Sequence, residues 1–409
     1  IEDMVPFYYD YPGKSMRMIG VTGTNGKTTT SHIIAHILRT AGYHVGVIGT
    51  IHALIDDEEL EIRNTTPDVV ELQKLLFLMQ EKGMDYVVME VSSHALALNR
   101  VAGIEYDTAV FTNLTQDHLD FHKSFENYVA AKAKLFTSLT TEQHCKDNKT
   151  AVINSDDLHA KEILRAAHCR ILTYGVENDA DLKGADLKVG LKNSSFTVTG
   201  PFGRVSLHMH ITGLFNVYNT LAAIGAAYAE GIPSETVAGA VQSFRSVPGR
   251  FELVEAGQDF AIVVDYSHTP DSLEKALTTA RAMNPKRIIA VFGCGGDRDR
   301  TKRPIMGKIG AENADILIVT SDNPRSEDPE CIVSEIEAGV VTGLKRGRHY
   351  EVITDRRAAI MRAVEIAESG DIVLIAGKGH ETYQILKDGT IHFDDREVAR
   401  EAVQRLKER

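Results

Sequence analysis

The chain has 409 residues, of which 43% are hydrophobic and 25% charged, and its formal net charge is −12. This length exceeds one ordinary hydrophobic core, so two or three domains are expected. The acidic balance argues against nonspecific nucleic-acid binding, although local basic clusters and helix N-termini still bind anions. No apolar run is long enough to span a bilayer and no signal-peptide pattern opens the chain, so we expect a cytoplasmic enzyme with no nucleic-acid or membrane partner.

Short apolar runs alternate with helical patterns along most of the chain, which is typical of parallel α/β sheets. The strand candidates of the first half are RMIGVTG, HVGVIGT, YVVMEVSS, TAVFTNL, TAVINSDD and RILTYG. Residues 187–213 change to polar–apolar alternation with turn residues, which predicts an antiparallel patch closing this domain. Two helices are expected next, at about 215–230 and 234–245.

A Pro-Gly break at Pro248 precedes a second α/β series. Its strand candidates are FAIVVDYS, RIIAVFG, ADILIVTSD, HYEVITD and DIVLIAG, and a helical segment follows each of them except the last. We therefore place a central domain at 17–247 and a Rossmann-like C-terminal domain at 248–409.

The segment GVTGTNGKTTT, residues 20–30, joins a predicted strand to a predicted helix. It departs from the usual Walker pattern, because Val21 stands where that pattern has its first glycine. A Gly-rich turn before a helix still directs backbone N–H groups at an anion, with Lys27 adding charge and a threonine hydroxyl suited to Mg²⁺. From the pattern alone, a nucleotide loop and a plain turn with a solvated lysine both remain open.

Further segments, in order along the chain, resemble the Mur ligase family, in which GTNGKTT is the ATP loop. They are NTTPD (64–68), MEVSSHAL (89–96), FTNLTQDHLDFH (111–122), YVAAKAKLF (128–136), GLFNVYN (213–219), PGRFE (248–252), VDYSHTPDSL (264–273), VFGCGGDRDRTKRPIMG (291–307), SDNPR (321–325) and AGKGHE (376–381). Within the family, the resemblance is to ligases that add meso-diaminopimelate to UDP-N-acetylmuramoyl-L-alanyl-D-glutamate (UDP-MurNAc-L-Ala-D-Glu).

The resemblance implies an ATP-dependent amide-bond ligase that works through an acyl phosphate in peptidoglycan precursor synthesis. It implies a central P-loop ATPase domain with a mainly parallel sheet, an amino-acid-binding C-terminal domain, and residues 1–16 as the remnant of an N-terminal UDP-binding domain. A monomer is expected. The implied ATP contacts are Gly23, Thr24, Asn25, Gly26, Lys27, Thr28, Thr29, Asn216, Asn219, Arg250 and Asp265.

The implied Mg²⁺ ligands are Thr28, Glu90, His118 and Lys132, the last as a carbamate, since a carbamate offers oxygen where an ammonium repels the ion. Catalytic roles are implied for Lys27, Glu90, His118, Lys132 and Arg250. The residues alone leave alternatives open: a strand-end salt bridge for Glu90, a structural or solvated side chain for His118, and a helix cap with a surface neighbour for Asn216 and Asn219. The resemblance implies instead that His118 binds a second Mg²⁺, with Asp117 and Asp120 supporting its imidazole.

Substrate contacts are implied at two sets of residues. For the muramoyl dipeptide they are Thr65, Thr66, Ser92 and Arg100, and for diaminopimelate they are Arg298, Asp322, Asn323, Arg325, Gly377 and Glu381. Arg325 would grip the distal carboxylate as a bidentate fork, and Glu381 would hold the distal ammonium. Each of these residues, taken singly, also fits a turn, a cap or a surface ion pair.

Two other functions compete with this interpretation. A two-domain folylpolyglutamate synthase has this length and a related ATP loop, but nothing calls for SDNPR in such an enzyme. A noncatalytic binding module descended from a ligase is the other alternative, and the joint presence of Lys27, Glu90, His118 and Lys132 argues against it.

Overall fold

The computed structural model describes residues 4–115, 117–140, 146–191 and 193–408, without the side chain of Asp120. The chain forms two compact units. The first comprises the described residues of Ile1–Lys188, Ser194–His210 and Leu214–Arg245, and the second those of Val189–Asn193, Ile211–Gly213 and Ser246–Arg409. Among the helices of the described residues, none combines the length and apolar character needed to cross a membrane.

The first unit contains an 11-stranded sheet. In chain order, its strands are β1 (Arg17–Thr22), β2 (Val45–Ile48), β3 (Ala53–Ile55), β4 (Glu58–Leu60), β5 (Tyr86–Glu90), β6 (Thr108–Phe111), β7 (Thr150–Asn154), β8 (Arg170–Gly175), β9 (Leu182–Val189), β10 (Ser194–Gly200) and β11 (Gly203–Met209). Their order across the sheet is β11-β10-β9-β8-β7-β6-β1-β5-β2-β3-β4. The run from β8 to β2 is parallel, while β10–β11, β2–β3 and β3–β4 are antiparallel.

Helices surround this sheet because its central strands, β1, β5 and β6, are continuous apolar runs that are buried along almost their whole length. The helices are α1 (Met4–Tyr8), α2 (Lys27–Thr40), α3 (Val69–Glu81), α4 (Ser93–Ala97), α5 (Leu119–His122), α6 (Phe125–Thr137), α7 (Ala160–Ala166), α8 (Leu214–Ala229) and α9 (Ser234–Ser243), with a 3₁₀ turn at Pro12–Lys14. One core cluster joins Leu76 and Met79 of α3 to Met89 of β5 and Phe136 of α6.

The second unit has a six-stranded sheet of order β12-β13-β17-β14-β15-β16 and a separate hairpin, β18–β19. The strands are β12 (Glu252–Leu253), β13 (Ala261–Asp265), β14 (Ile288–Phe292), β15 (Ile316–Val319), β16 (His349–Val352), β17 (Ile372–Ala376), β18 (Tyr383–Leu386) and β19 (Gly389–His392). The helices are α10 (Pro270–Ala282), α11 (Lys302–Asn313), α12 (Pro329–Gly343), α13 (Arg356–Glu365) and α14 (Asp395–Lys407). Apart from β12, which pairs antiparallel with β13, this sheet is parallel.

The prediction of an α/β fold with a large, mainly parallel sheet, an antiparallel patch and a second α/β sheet is confirmed. The parallel strands place their carboxyl ends at one edge of each sheet, which is where ligand sites collect in such folds. In the first unit, β1, β5 and β6 end side by side, with Val21 opposite Glu90 and Thr22 opposite Phe111. In the second, Asp265 and Phe292 both lie opposite Ala376.

Candidate active site

The loop between β1 and α2 can be built only with glycine at two positions. Gly23 has φ 152° and Gly26 has φ 84°, both in the region that side chains disfavour. A Cβ at Gly23 would collide with the Thr112 hydroxyl, and one at Gly26 with the Asn219 amide oxygen. The first turn of α2 has no side-chain cap, so its backbone N–H groups are available to an anion.

Lys27, the first residue of α2, folds back across this loop. Its Nζ donates to the carbonyl oxygens of Gly23 and Thr24, at 2.9 Å each. Thr29, two residues further, is buried in the first helical turn. The ammonium and the helix N-terminus therefore form an electropositive cradle suited to a polyphosphate.

The loop is anchored to the segment that follows β6. The Asn25 N–H donates to Asn113 Oδ1 (3.0 Å), and the Thr112 hydroxyl donates to the Asn25 carbonyl (2.6 Å). The Thr24 hydroxyl lies 2.9 Å from the Tyr128 hydroxyl on α6. These bonds fix the loop's backbone before any ligand arrives, which reduces the ordering cost of binding.

Glu90, at the end of β5, is fully buried beside the start of α2. Its Oε2 accepts from the Thr28 hydroxyl (3.1 Å) and the Thr50 hydroxyl (3.0 Å), and its Oε1 accepts from the Thr50 N–H (2.8 Å). The structure therefore brings the predicted carboxylate and Thr28 together, held by hydroxyl and amide donors. This cluster of oxygen atoms at the phosphate loop has the ligand chemistry that Mg²⁺ prefers.

Lys132 of α6 is 1% exposed, and its Nζ donates to the Gly23 carbonyl at 2.7 Å. The Nζ also lies 4.8 Å from the centroid of the Tyr128 ring. Burial first, and then the nearby charge of Lys27, hold the pKa of Lys132 well below its usual value. The amine is thereby biased toward its neutral, nucleophilic form. By contrast, Lys134, two residues on, is exposed.

His118 lies in the segment after β6, with left-handed backbone (φ 53°) and a half-exposed side chain. Its Nε2 is 3.5 Å from Asp117 Oδ2, and its ring lies edge-on to the His94 ring at 4.7 Å between centroids. The Tyr128 ring is 6.3 Å away. The predicted support from Asp120 falls on a side chain outside the described residues. Across the described residues, no group of three or more His, Cys, Asp or Glu side chains is arranged to hold a metal.

Asn216 and Asn219 are both buried in α8, so they are neither a helix cap nor a surface pair. Asn219 Nδ2 donates to Asn216 Oδ1 (3.1 Å), and Asn219 Oδ1 accepts from the Thr30 hydroxyl (3.4 Å). Because a Cβ on Gly26 would strike the same amide oxygen, this pair lies directly against the phosphate loop.

The four residues predicted for the muramoyl dipeptide form a group next to Glu90. The Thr66 hydroxyl donates to the Glu90 carbonyl (2.8 Å) and accepts from the Ser92 N–H (3.0 Å). Arg100 Nη1 donates to the Thr66 carbonyl (3.1 Å). The Thr65 hydroxyl is 3.2 Å from that of Thr50, which joins this group to the carboxylate.

In the second unit, Arg250 and Asp265 are brought together through the turn before β12. The Phe251 N–H donates to Asp265 Oδ2 at 2.7 Å, and the Ser267 N–H donates to Asp265 Oδ1 at 2.9 Å. The Arg250 guanidinium lies 5.1 Å from the centroid of the Tyr266 ring. Asp265 therefore accepts from a different turn on each oxygen, and Arg250 is held over an aromatic face.

Arg298 and Arg325 both lie beside Gly295, after β14. Arg298 is exposed, and its Nη1 donates to the Asp297 carbonyl at 3.2 Å. Arg325 is half-buried, and its Nη1 donates to the Gly296 carbonyl at 2.8 Å. Its left-handed backbone (φ 54°) is fixed by an N–H bond to the Ile385 carbonyl at 3.0 Å. Two guanidinium groups at one strand edge suit a carboxylate ligand.

The remaining predicted diaminopimelate contacts lie in the segments that follow β15 and β17, where they pack against each other. Gly377 has φ 118°, and a Cβ there would meet Asp322 Oδ2 at 2.6 Å. Asn323 Nδ2 donates to Glu381 Oε2 at 2.8 Å. Lys378 donates to the same Glu381 oxygen at 2.9 Å, so a buried cation also belongs to this cluster.

Three residues of the site, Thr50, Tyr128 and Lys378, are not among the predicted site residues. Thr50 closes HVGVIGT and Lys378 lies inside AGKGHE, so both stood within segments already singled out. The contacts of Thr50 with Glu90 and of Lys378 with Asn323 are long-range, so the local sequence does not reveal them. Tyr128 opens YVAAKAKLF, another of those segments, and its hydroxyl lies against the phosphate loop.

The first unit has a glycine-rich phosphate loop at the edge of a parallel sheet, and a buried carboxylate and two lysines surround that loop. These features define an α/β nucleotide-binding protein. Residues 21–227 match the Mur ligase middle domain, and residues 249–379 match the Mur ligase, glutamate ligase domain. The chain belongs to the Mur ligase family.

Two relatives that share one name match almost the whole chain. The chain is 49% identical over 96% of its length to the UDP-N-acetylmuramoyl-L-alanyl-D-glutamate–2,6-diaminopimelate ligase of Syntrophomonas wolfei, covering 79% of that protein. It is 47% identical over 98% of its length to the Bacillus cereus ligase of the same name, covering 80%. A solved structure of such a ligase aligns with 99% of this chain and 83% of its own, at 37% identity and a TM-score of 0.73.

Proposed function

We propose that this protein is an ATP-dependent ligase that joins meso-diaminopimelate to UDP-MurNAc-L-Ala-D-Glu in peptidoglycan precursor synthesis. The observation that carries the proposal is the buried Thr28–Glu90 pair beside Lys27 and Lys132 on the phosphate loop, in a chain 49% identical to a ligase of this name. The reaction transfers the γ-phosphoryl group to the D-glutamyl carboxylate, and the amine then forms the amide as phosphate leaves.

In this proposal, the first unit binds the nucleotide. The loop N–H groups and Lys27 hold the β- and γ-phosphates, and the buried Asn216–Asn219 pair supports the loop beside the adenosine. Thr28 and Glu90 would hold Mg²⁺ together with phosphate oxygens, since this ion is usually bound by few protein ligands. Bound Mg²⁺ would neutralise charge between phosphate and carboxylate. His118 stays a predicted ligand of a second Mg²⁺.

Lys132 is proposed to carry a carbamate. Its burial and depressed pKa favour the neutral amine, whose nitrogen forms a bond to the carbon of CO₂ as one proton is released. The product is an anion in a place where Lys27 supplies the compensating charge. The carbamate oxygens would be further ligands for the metal.

The muramoyl dipeptide is proposed to bind at Thr65, Thr66, Ser92 and Arg100. The diaminopimelate site is proposed in the second unit, at Arg298, Asp322, Asn323, Arg325, Gly377 and Glu381, with Arg250 and Asp265 serving the nucleotide. The boundaries at 17–247 and 248–409, a monomer and a cytoplasmic location stay predictions.

The test is phosphate release from ATP by the purified protein with defined substrate pairs. We expect turnover only with UDP-MurNAc-L-Ala-D-Glu and meso-diaminopimelate together. Turnover with a folate and glutamate would instead favour the folylpolyglutamate synthase alternative. Nucleotide binding without turnover on either pair would favour the noncatalytic module.

A further inference from the structure

Lys378 is a fully buried cation, 0% exposed, in the loop after β17. Its Nζ donates to Glu381 Oε2 at 2.9 Å and to Asn323 Oδ1 at 3.1 Å, and it lies 5.4 Å from the centroid of the Tyr383 ring. A buried ammonium needs such partners, because an unpaired charge away from water is strongly destabilising. The contacts therefore fix its position.

Both hydrogen-bond partners of Lys378 are proposed substrate contacts, and they come from different strand ends. Asn323 follows β15, and Glu381 follows β17. Asn323 Nδ2 also donates to Glu381 Oε2 (2.8 Å), while Asn323 Oδ1 also accepts from the Ile385 N–H (2.9 Å). One ammonium thus closes a triangle with an amide and a carboxylate.

This triangle leaves Glu381 oriented for a ligand. Lys378 and Asn323 both bind Oε2, so that oxygen is held and Oε1 is the one offered to an incoming cation. The Glu381 side chain is 15% exposed, whereas Lys378 is 0% exposed. A ligand therefore approaches the carboxylate and the cation stays behind it.

We propose that Lys378 is a positioning residue for the amino-acid substrate: together with the Asn323 amide, it sets the Glu381 carboxylate in the orientation that receives the ammonium end of diaminopimelate. The inference rests on the proposed function. It assigns Lys378 no contact with ATP, so its removal acts on amino-acid binding. Without the ammonium, Glu381 loses one of two charge-assisted bonds and is free to rotate away.

The experiment compares steady-state constants of wild type with those of Lys378→Met and Lys378→Gln, which remove the charge, and Lys378→Arg, which keeps it. Lys308→Met is the matched control, since Lys308 pairs with Glu312 (i, i+4) on an exposed helix face of the same unit. We expect KM for diaminopimelate to rise about 10- to 100-fold in the neutral variants, with KM for ATP within about twofold. Lys378→Arg should recover part of the loss, and Lys308→Met should match wild type.

Thermal unfolding is measured for every variant. An unchanged KM for diaminopimelate in a folded neutral variant would overturn the inference, and so would an equal rise in KM for ATP. If both neutral variants fail to fold while Lys378→Arg folds, Lys378 is a structural ion-pair residue and the inference is again wrong. A wild-type protein that does not ligate diaminopimelate at all would overturn the proposed function itself, an outcome seen before any variant is made.

Discussion

Thr50 binds both oxygens of the Glu90 carboxylate, donating its N–H to Oε1 at 2.8 Å and its hydroxyl to Oε2 at 3.0 Å. The same hydroxyl lies 3.2 Å from that of Thr65. One threonine after β2 therefore connects the proposed metal-binding carboxylate to the proposed dipeptide site. A carboxylate held from both sides presents a fixed geometry, which a small octahedral cation such as Mg²⁺ demands.

Thr50→Val removes one of these bonds and keeps the side-chain shape. A hydrogen bond to a charged group contributes about 1.5–3 kcal/mol, so Mg²⁺-dependent ATP binding should weaken by roughly 10- to 150-fold. Thr50→Ser, which keeps the hydroxyl, should stay close to wild type. Calorimetric titration of ATP at several Mg²⁺ concentrations measures the effect.

Thr137→Val is the control for this experiment, because Thr137 is exposed and its hydroxyl donates within its own helix, to the Ala133 carbonyl. Equal Mg²⁺ dependence in wild type and Thr50→Val would show that Thr50 does not orient Glu90.

Lys27→Ala should slow ligation strongly. The phosphates lose the charge that now lies across the loop, and removal of one such transition-state contact typically costs ~100- to 1,000-fold in kcat. The measurement is the single-turnover rate of product formation at saturating ATP. Lys82→Ala, which removes an exposed lysine paired with Glu58, controls for loss of a positive charge; near-normal turnover of Lys27→Ala would contradict the role of the loop.

Lys132→Ala should be nearly inactive and partly rescued by short carboxylic acids that fill the place of the carbamate. The burial of Lys132 beside the Gly23 carbonyl gives such an acid a defined cavity to enter. The assay is turnover against acetate or formate concentration, with the exposed Lys134→Ala as control. Mass spectrometry of a fully active wild-type protein that found only unmodified Lys132 would count against the carbamate.

Most of the strands that sequence analysis predicted are continuous apolar runs buried on both faces, as in YVVMEV, whereas β8 and β16 are partly exposed. Short strands such as β4 (EEL) and β19 (GTIH) lack that pattern: they are largely exposed, and each pairs with its hairpin neighbour. No local signal distinguishes them from turns.

Some residues of the candidate site also lack a local signal in the sequence. Glu90 and the phosphate loop were recognisable because each occupies a strand end. The roles of Asn219 and Thr50 depend on which elements approach the loop, and that approach is decided by packing far away in sequence. The i, i+3 spacing of Asn216 and Asn219 fits an exposed pair as well as a buried one. The position of α8 against Gly26 shows that the pair is buried.

Arg325 is the residue on which we base amino-acid selectivity. Its backbone is fixed by the Ile385 carbonyl, and its Nη1 by the Gly296 carbonyl at 2.8 Å, so the guanidinium is oriented before substrate binds. A guanidinium so fixed forms a planar fork for the distal carboxylate of diaminopimelate. Lysine lacks that carboxylate and would leave the cation unpaired, so we expect wild type to reject lysine strongly.

Arg325→Ala should lower kcat/KM for diaminopimelate by roughly 30- to 5,000-fold, the equivalent of ~2–5 kcal/mol for a lost charge-assisted contact. The low kcat/KM for lysine should change little, because lysine has no distal carboxylate to bind the guanidinium. The preference for diaminopimelate over lysine should therefore become smaller. Arg325→Lys should restore only part of the lost kcat/KM for diaminopimelate, since an ammonium lacks the planar geometry of a guanidinium. The measurement is kcat/KM for both amino acids in all three proteins, with the exposed Arg346→Ala as control. If the alanine variant kept its full preference for diaminopimelate, selectivity would have to come from another cation at this edge, and Arg298, beside the same Gly295, would be the next to replace.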